Sequence, residues 1–311
     1  MTQTPQNLEP RPEFSDRVLA VLRATAAGAA AARAGQVPGE TETLQLFLFD
    51  GLLEAVEWAN DGVASDEAAC LWLAGLRWNR AVTGSFPDGA PEPLPRWIDA
   101  AFSATDELAA PSLAPADPQN RRALADPDMA STGRPAHPTA DGPGVLPRAA
   151  VMALLPRVDE GTTARLASDA AALTHGAPGA HRAASYAARA VRAGLDLGAQ
   201  APQRWKEILQ ETADDDGAAC AALRAALQAA IDELATRQAA TDETGDASAV
   251  VRRLGTTPDP DTAGYAAALV ASATGYRQAA ELPTSTVDSV ISQMHHRWVE
   301  AVLGTAPDQA G

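Results

Sequence analysis

Lysine is all but missing from this chain: Lys206 stands alone beside 23 arginines in 311 residues. Basic residues are scarce as a class, with 24 Lys and Arg against 40 Asp and Glu, a net charge of −16. A phosphate backbone needs clustered positive charge, so nucleic-acid binding is excluded as a main function. Cysteine is limited to Cys70 and Cys220, far apart and without CxxC or histidine-spaced partners. That rules out a disulfide framework and a zinc site. Aromatic residues make up only 5% of the chain, which counts against a β-sandwich, whose strands favour Val, Ile, Tyr and Phe. No uncharged apolar run reaches the ~18 residues that would span a membrane. The polar start, Met1 to Pro12, has no charged-then-apolar signal pattern. Also absent are a Gly-x-Ser-x-Gly elbow, a phosphate-binding loop, a Gly-x-Gly-x-x-Gly turn and His-Glu-x-x-His. A cytoplasmic protein is expected.

Alanine is what the chain has in quantity, and an apolar fraction of 46% carried largely by alanine favours close-packed helices. With arginine in place of lysine, the composition reads as the codon bias of a high-GC bacterial genome. A leader over 1–13 is expected to be disordered, followed by a single all-α domain over 14–304 and a tail over 305–311. The first helix runs from a cap at Ser15 to about Arg33. The next, Thr43 to Asn60, is apolar on nearly every side, which marks a buried central helix. Ser65 caps a third, with Asp66 and Glu67 in its first turn. From Thr105 to Pro147 the chain turns rich in Pro, Gly, Asp and Ser, with one short helical stretch near Asn120–Leu124. A loop this long is functional or disordered. Helices resume over 149–155, 163–174, 178–192, 217–238, 261–275 and 286–303. Gly176-Ala177-Pro178 ends one helix and opens the next.

Chemistry concentrates at Thr257-Pro258-Asp259-Pro260-Asp261-Thr262, just before an alanine-rich run to Gly275. Two carboxylates and a hydroxyl at i, i+2 and i+3 can aim hard oxygens at one point, as Mg²⁺ or Ca²⁺ requires. The same residues also satisfy the free N–H groups of a first helical turn, so capping alone would account for them.

The order of segments resembles the ADP-ribosylglycohydrolase family, from about Arg17 to Leu303. The stretches that carry the resemblance are Leu48 to Ala55 with Leu71-Trp72-Leu73 and Leu76-Arg77-Trp78, the glycine-rich turn Gly142 to Ala150, the Thr-His turn Ala172 to Pro178, and Asp259-Pro260-Asp261-Thr262. The resemblance implies an all-helical domain holding two Mg²⁺ between an N-terminal Thr-Asp-Asp-Thr and a C-terminal Asp-x-Asp-Ser/Thr motif. The metals would bind the ribose of ADP-ribose and a water, and the enzyme would cleave the bond between ADP-ribose and a protein side chain. On this basis Asp259, Asp261, Thr262 and Thr43 are the expected metal ligands, and Glu42 and Asp261 the catalytic acids. Asn120, Gly142, Gly144 and His175 are expected at the ligand.

The sequence also departs from the family's pattern. Gly28-Ala29-Ala30-Ala31-Ala32 replaces an expected Gly-Asp-Ala-Leu-Gly, so an acid is gone. Where Thr-Asp-Asp-Thr should precede the second helix stands Gly39-Glu40-Thr41-Glu42-Thr43-Leu44-Gln45, with no Asp. Pro147 replaces Met in the glycine-rich turn, Pro258 stands where Gly is usual, and Pro260 separates the two acids. Glutamate reaches one methylene further than aspartate and cannot simply replace it in a rigid coordination shell. At most one magnesium ion is therefore expected. The sequence reads as a degraded hydrolase that binds ADP-ribose, an ADP-ribosylated protein or another partner. A working hydrolase and a purely structural interaction protein are the alternatives.

Other conspicuous residues have plainer explanations. His295-His296 fits surface packing of a terminal helix, and Asp214-Asp215-Asp216 fits capping of the helix after Gly217. Trp58, Trp72, Trp78, Trp97 and Trp205 are expected in the core.

Overall fold

The computed structural model describes residues 12–33, 38–104, 113–114, 117–239, 247–257, 259–275 and 287–304. The expected tail, Pro258, most of the leader and the first part of the long loop lie outside these residues. Among them the fold is all-α, with isolated bridges and no sheet. The helices are α1 (Pro12–Ala32), α2 (Glu40–Asn60), α3 (Glu67–Thr83), α4 (Trp97–Ser103), α5 (Pro118–Leu124), α6 (Val145–Met152) and α7 (Glu160–Ala172). They continue with α8 (Pro178–Leu197), α9 (Ala201–Glu211), α10 (Ala218–Ala239), α11 (Ala247–Leu254), α12 (Pro260–Thr274) and α13 (Asp288–Trp298), which runs into a π-helical turn, Val299–Leu303. None is long and apolar enough to cross a membrane.

Helix α2 is buried as expected over Glu40–Leu53, but the most enclosed helix is α12. Every residue from Asp261 to Ala273 is buried, and α12 packs on α1, α6, α8, α10 and α11. Small residues make this possible. A Cβ on Gly28 would stand 2.8 Å from the Ala263 carbonyl oxygen, and one on Gly264 2.7 Å from that of Thr25. Helices α1 and α12 therefore cross backbone against backbone. Helix α2 is buried only as far as Leu53 and Ala55, and beyond it Trp58 is 48% exposed, against the expectation of a core tryptophan. Trp78 and Trp205 are buried, whereas Trp72 and Trp97 are partly so.

Several helix starts differ from the sequence reading. Helix α1 begins before Ser15, whose hydroxyl instead meets His295 at 3.0 Å. His295 also stacks on Trp298, so it packs the terminal helix as expected. The cap of α3 is Asp66, which accepts from the Ala69 N–H, while Ser65 donates to the Ala55 carbonyl. The start of α10 is capped by Asp141, reaching across from the long loop to the Ala218 and Ala219 N–H groups at 2.8 and 3.0 Å. Of the three consecutive aspartates, Asp215 accepts from the Gly217 N–H and is gripped by Arg182. Helices α4, α9 and α11 were not anticipated.

Asp50 joins α2, α3 and α4. Fully buried, it accepts from Arg77 at 2.9 Å, Arg96 at 2.7 Å and the Trp97 indole at 2.7 Å.

Candidate functional site

The starts of α2, α5, α6 and α12 meet around a cavity of about 290 Å³. Helix N-termini carry partial positive charge and unpaired N–H groups, which favours carboxylates at this junction. Asp259 is the N-cap of α12, and its Oδ2 accepts from the Thr262 N–H at 2.7 Å and hydroxyl at 2.6 Å. Asp261 follows in the first turn, only 8% exposed, and both acids line the cavity. Burial, then the nearby Asp259 and Glu42 charges, push the Asp261 carboxyl up to about 7, against the opposing pull of Arg148 and Arg33.

Across the cavity α2 begins at Glu40, so the segment expected to precede the helix forms its first turn. The Thr41 hydroxyl faces Asp261 and donates to its Oδ2 at 3.3 Å. Thr43, expected at the metal, points away: its hydroxyl donates to the Glu40 carbonyl at 3.0 Å and accepts from the Trp78 indole at 2.9 Å. Glu42 is 3% exposed and turns back on its own helix start. Its Oε2 accepts from the Gly39 N–H and from Arg33 Nη2, the latter at 2.5 Å. Burial raises the Glu42 carboxyl to about 7, partly offset by Arg33 and the Gly39 N–H. Arg33, just past the end of α1, lines the cavity.

A third carboxylate, Asp117, caps α5 and lines the cavity wall. Behind it runs a directed chain. Arg148 Nη1 donates to the Thr174 hydroxyl at 2.6 Å, Thr174 meets His175 Nδ1 at 2.8 Å, and His175 Nε2 meets Asp117 Oδ2 at 2.8 Å. Asp117 can only accept and the Thr174 oxygen already accepts from Arg148, so the network assigns His175 the Nε2–H tautomer. Burial holds His175 below the usual histidine range despite its bond to Asp117. Burial pushes Asp117 upward, but the bonds from His175 and the Gln119 N–H outweigh it and its carboxyl lies below the usual range. Arg148 is fully buried and lowered to about 10 by desolvation, against the opposing charges of Asp117 and Asp261.

The structure thus brings Asp259 and Asp261 together at the cavity with Thr262 bonded to Asp259, and sets Asn120 and His175 one layer behind it. Asn120 accepts from Arg148 Nη2 at 2.5 Å and donates to Thr41 at 3.4 Å. A Cβ on Gly142 would lie 2.6 Å from Asp117 Oδ2, so a glycine is needed there for the carboxylate to fit. Gly144 is less constrained, with Asp117 Cβ at 3.4 Å and Asp261 Oδ2 at 3.6 Å from the same construction. Sequence reasoning missed Arg33, Asp117 and Arg148 as site residues. Asp117-Pro118 was readable as a cap followed by an N1 proline, the one helix-start signal that sets Asn120 a turn away.

The ADP-ribosylglycohydrolase family model matches residues 10–296. The chain belongs to the ADP-ribosylglycohydrolase family. No curated protein matches it. The resemblance read from the sequence implied two Mg²⁺, and the donors of this family member do not fit that pair. Among the described residues no group of three or more His, Cys, Asp or Glu side chains is arranged to hold a metal ion. Asp259 directs one oxygen at Thr262, Glu42 one at Arg33 and Gly39, and Thr43 faces the core. A guanidinium stands among the acids, where a dication would meet like charge.

Proposed function

We propose that this ADP-ribosylglycohydrolase-family protein binds an ADP-ribose-type ligand, free or carried on a protein side chain, and hydrolyses it slowly or not at all. The observation that carries this reading is the Arg33–Glu42–Gly39 clasp on the side of the cleft where an acid is expected to face a metal. Metal assistance is worth several kcal/mol of a hydrolytic barrier, or several powers of ten in rate. A cleft without the metal pair forgoes that contribution.

Binding is supported by what remains. Asp117, Asp259 and Asp261 present carboxylate oxygens to the cavity, and these suit the hydroxyl donors of a ribose. Arg33 adds a positive donor for an oxygen-rich or anionic group. At about 290 Å³ the cavity is at the lower edge of small-molecule sites, which run from ~300 to 1,000 Å³. That suits a ribose and its immediate neighbours, with the rest of a longer ligand outside.

Calorimetric titration with ADP-ribose, in Mg²⁺ and in EDTA, tests the proposal alongside an assay for ADP-ribose release from modified arginine. Equal binding in both buffers with negligible release is the expected result. Rapid Mg²⁺-dependent release would overturn the loss of turnover, and no heat in either buffer would overturn ligand binding in favour of a protein-partner role.

A further inference from the structure

We propose that Arg33 is a built-in replacement for a resident cation: its guanidinium, delivered by the end of α1, balances the acids of the cleft so that the site works without a divalent ion. The inference goes beyond ligand binding but rests on the metal-poor reading of the cleft.

Position is the first support. Arg33 follows Gly28–Ala32, the stretch from which an acid is missing, and its side chain lines the same cavity as Asp259 and Asp261. The end of α1 thus brings a positive charge to a cavity whose other charged lining residues, Asp117, Asp259 and Asp261, are acids.

The second support is how the guanidinium is accommodated. A Cβ at Gly39 would lie 3.0 Å from Arg33 Nη1 and 3.1 Å from Glu42 Oε2. The backbone there is extended, at φ −88° and ψ 161°, so any residue could adopt it. Space for the Arg33–Glu42 contact, not backbone conformation, is what a glycine provides at this position.

The third support is that the pair is a poor structural staple. Arg33 is 11% exposed and Glu42 3%, yet Arg33 Nε and Glu42 Oε1 are both buried without a hydrogen-bond partner. A buried ion pair with an orphan atom on each side stabilises less than an apolar pair of the same volume would. Charge balance beside Asp117, Asp259 and Asp261, which line the cavity with Arg33, accounts for it better than stability does. Unlike a bound ion, this cation cannot be removed by a chelator.

With Arg33 in place Glu42, Asp259 and Asp261 are not arranged for a metal; removing it releases Glu42 to turn toward the two aspartates, and these with the Thr41 hydroxyl are then hard oxygen donors left without a cation. The test is a Mn²⁺ titration of the full chain, wild type and Arg33→Ala, read by loss of the free-ion electron paramagnetic resonance signal. Wild type is expected to leave millimolar Mn²⁺ free, and Arg33→Ala to bind it at least tenfold more tightly. Micromolar Mn²⁺ binding by wild type, or a folded Arg33→Ala with no gain, overturns the inference. If Arg33→Ala does not fold alone, millimolar Mn²⁺ must restore its folding, and failure to do so also overturns it. No nucleotide enters the experiment, so its failure is distinct from a failure to bind ADP-ribose.

Discussion

Asp261 is an acid kept where water scarcely reaches, with the Thr41 hydroxyl as its one hydrogen-bond donor among the contacts described. Its carboxyl titrates near 7 in the folded chain but near 3.8 when exposed, so the folded state holds the proton that the unfolded state has released. Its contribution to stability is full below about 3.8 and is lost as pH rises through about 7. Asp261→Asn removes that penalty and keeps an acceptor for Thr41. In EDTA the variant should be more stable than wild type at pH 8, by on the order of 4 kcal/mol, and equal to it near pH 4. Thermal melts across that range check the sign. Asp259, Asp261 and Thr262 were legible together because a helix start constrains all three. Thr43 was expected at the metal because the second helix was read as starting there, whereas the helix begins at Glu40 and already includes Thr41. In a helix, residues two apart lie about 200° around the axis, so one faces Asp261 and the other Trp78.

Among the helices, α1 and α12 cross most closely, and each has an end at the cleft. One carries Arg33 just past its end and the other starts at Asp259, and their glycines let the two backbones touch. A methyl at Gly28 meets the Ala263 carbonyl oxygen and Ala267 Cβ at 2.8 Å, neither of which can step aside. Gly28→Ala should therefore cost about 1–3 kcal/mol in chemical denaturation, the reverse of the usual gain from alanine in a helix. Asp50 acts on the outer helices. Asp50→Ala takes from Arg77 and Arg96 their nearest carboxylate and leaves Arg77 only the longer contacts to Glu54 and Asp99, a loss of about 3 kcal/mol, the low end for breaking a buried pair. Hydrogen exchange in Trp97–Ser103 should quicken more than in α12, because α4 is short and the Trp97–Asp50 bond is one of its few anchors, beside Asp99–Arg80 and Phe102 on Phe47. Long helices were legible from their apolar period; α4, α9 and α11 were not, and length alone does not separate them from α5 and α6, which are as short as α4 and α11 and were read.

The molecule as a whole carries 40 acids to 24 basic groups. Many of the arginines are paired, as Arg204 is with Glu207 and Glu211, so the excess acid repels itself over the surface. Such self-repulsion opposes the compact state and is screened by salt. Raising NaCl from 20 to 200 mM should lift Tm by roughly 2–4 °C, equivalent to ~1 kcal/mol in a chain of this size. A lower Tm would mean that the paired arginines outweigh the unpaired acids. The crossing of α1 and α12 has a further consequence, for descent. The residues that hold its shape, Gly28, Gly264 and the small side chains beside them, are not the residues that would do chemistry. Selection can relax on Asp259 or Glu42 while still enforcing those glycines. An enzyme lineage built on such a crossing can shed its reaction in a few substitutions and still pass on the same hollow, ready for another use.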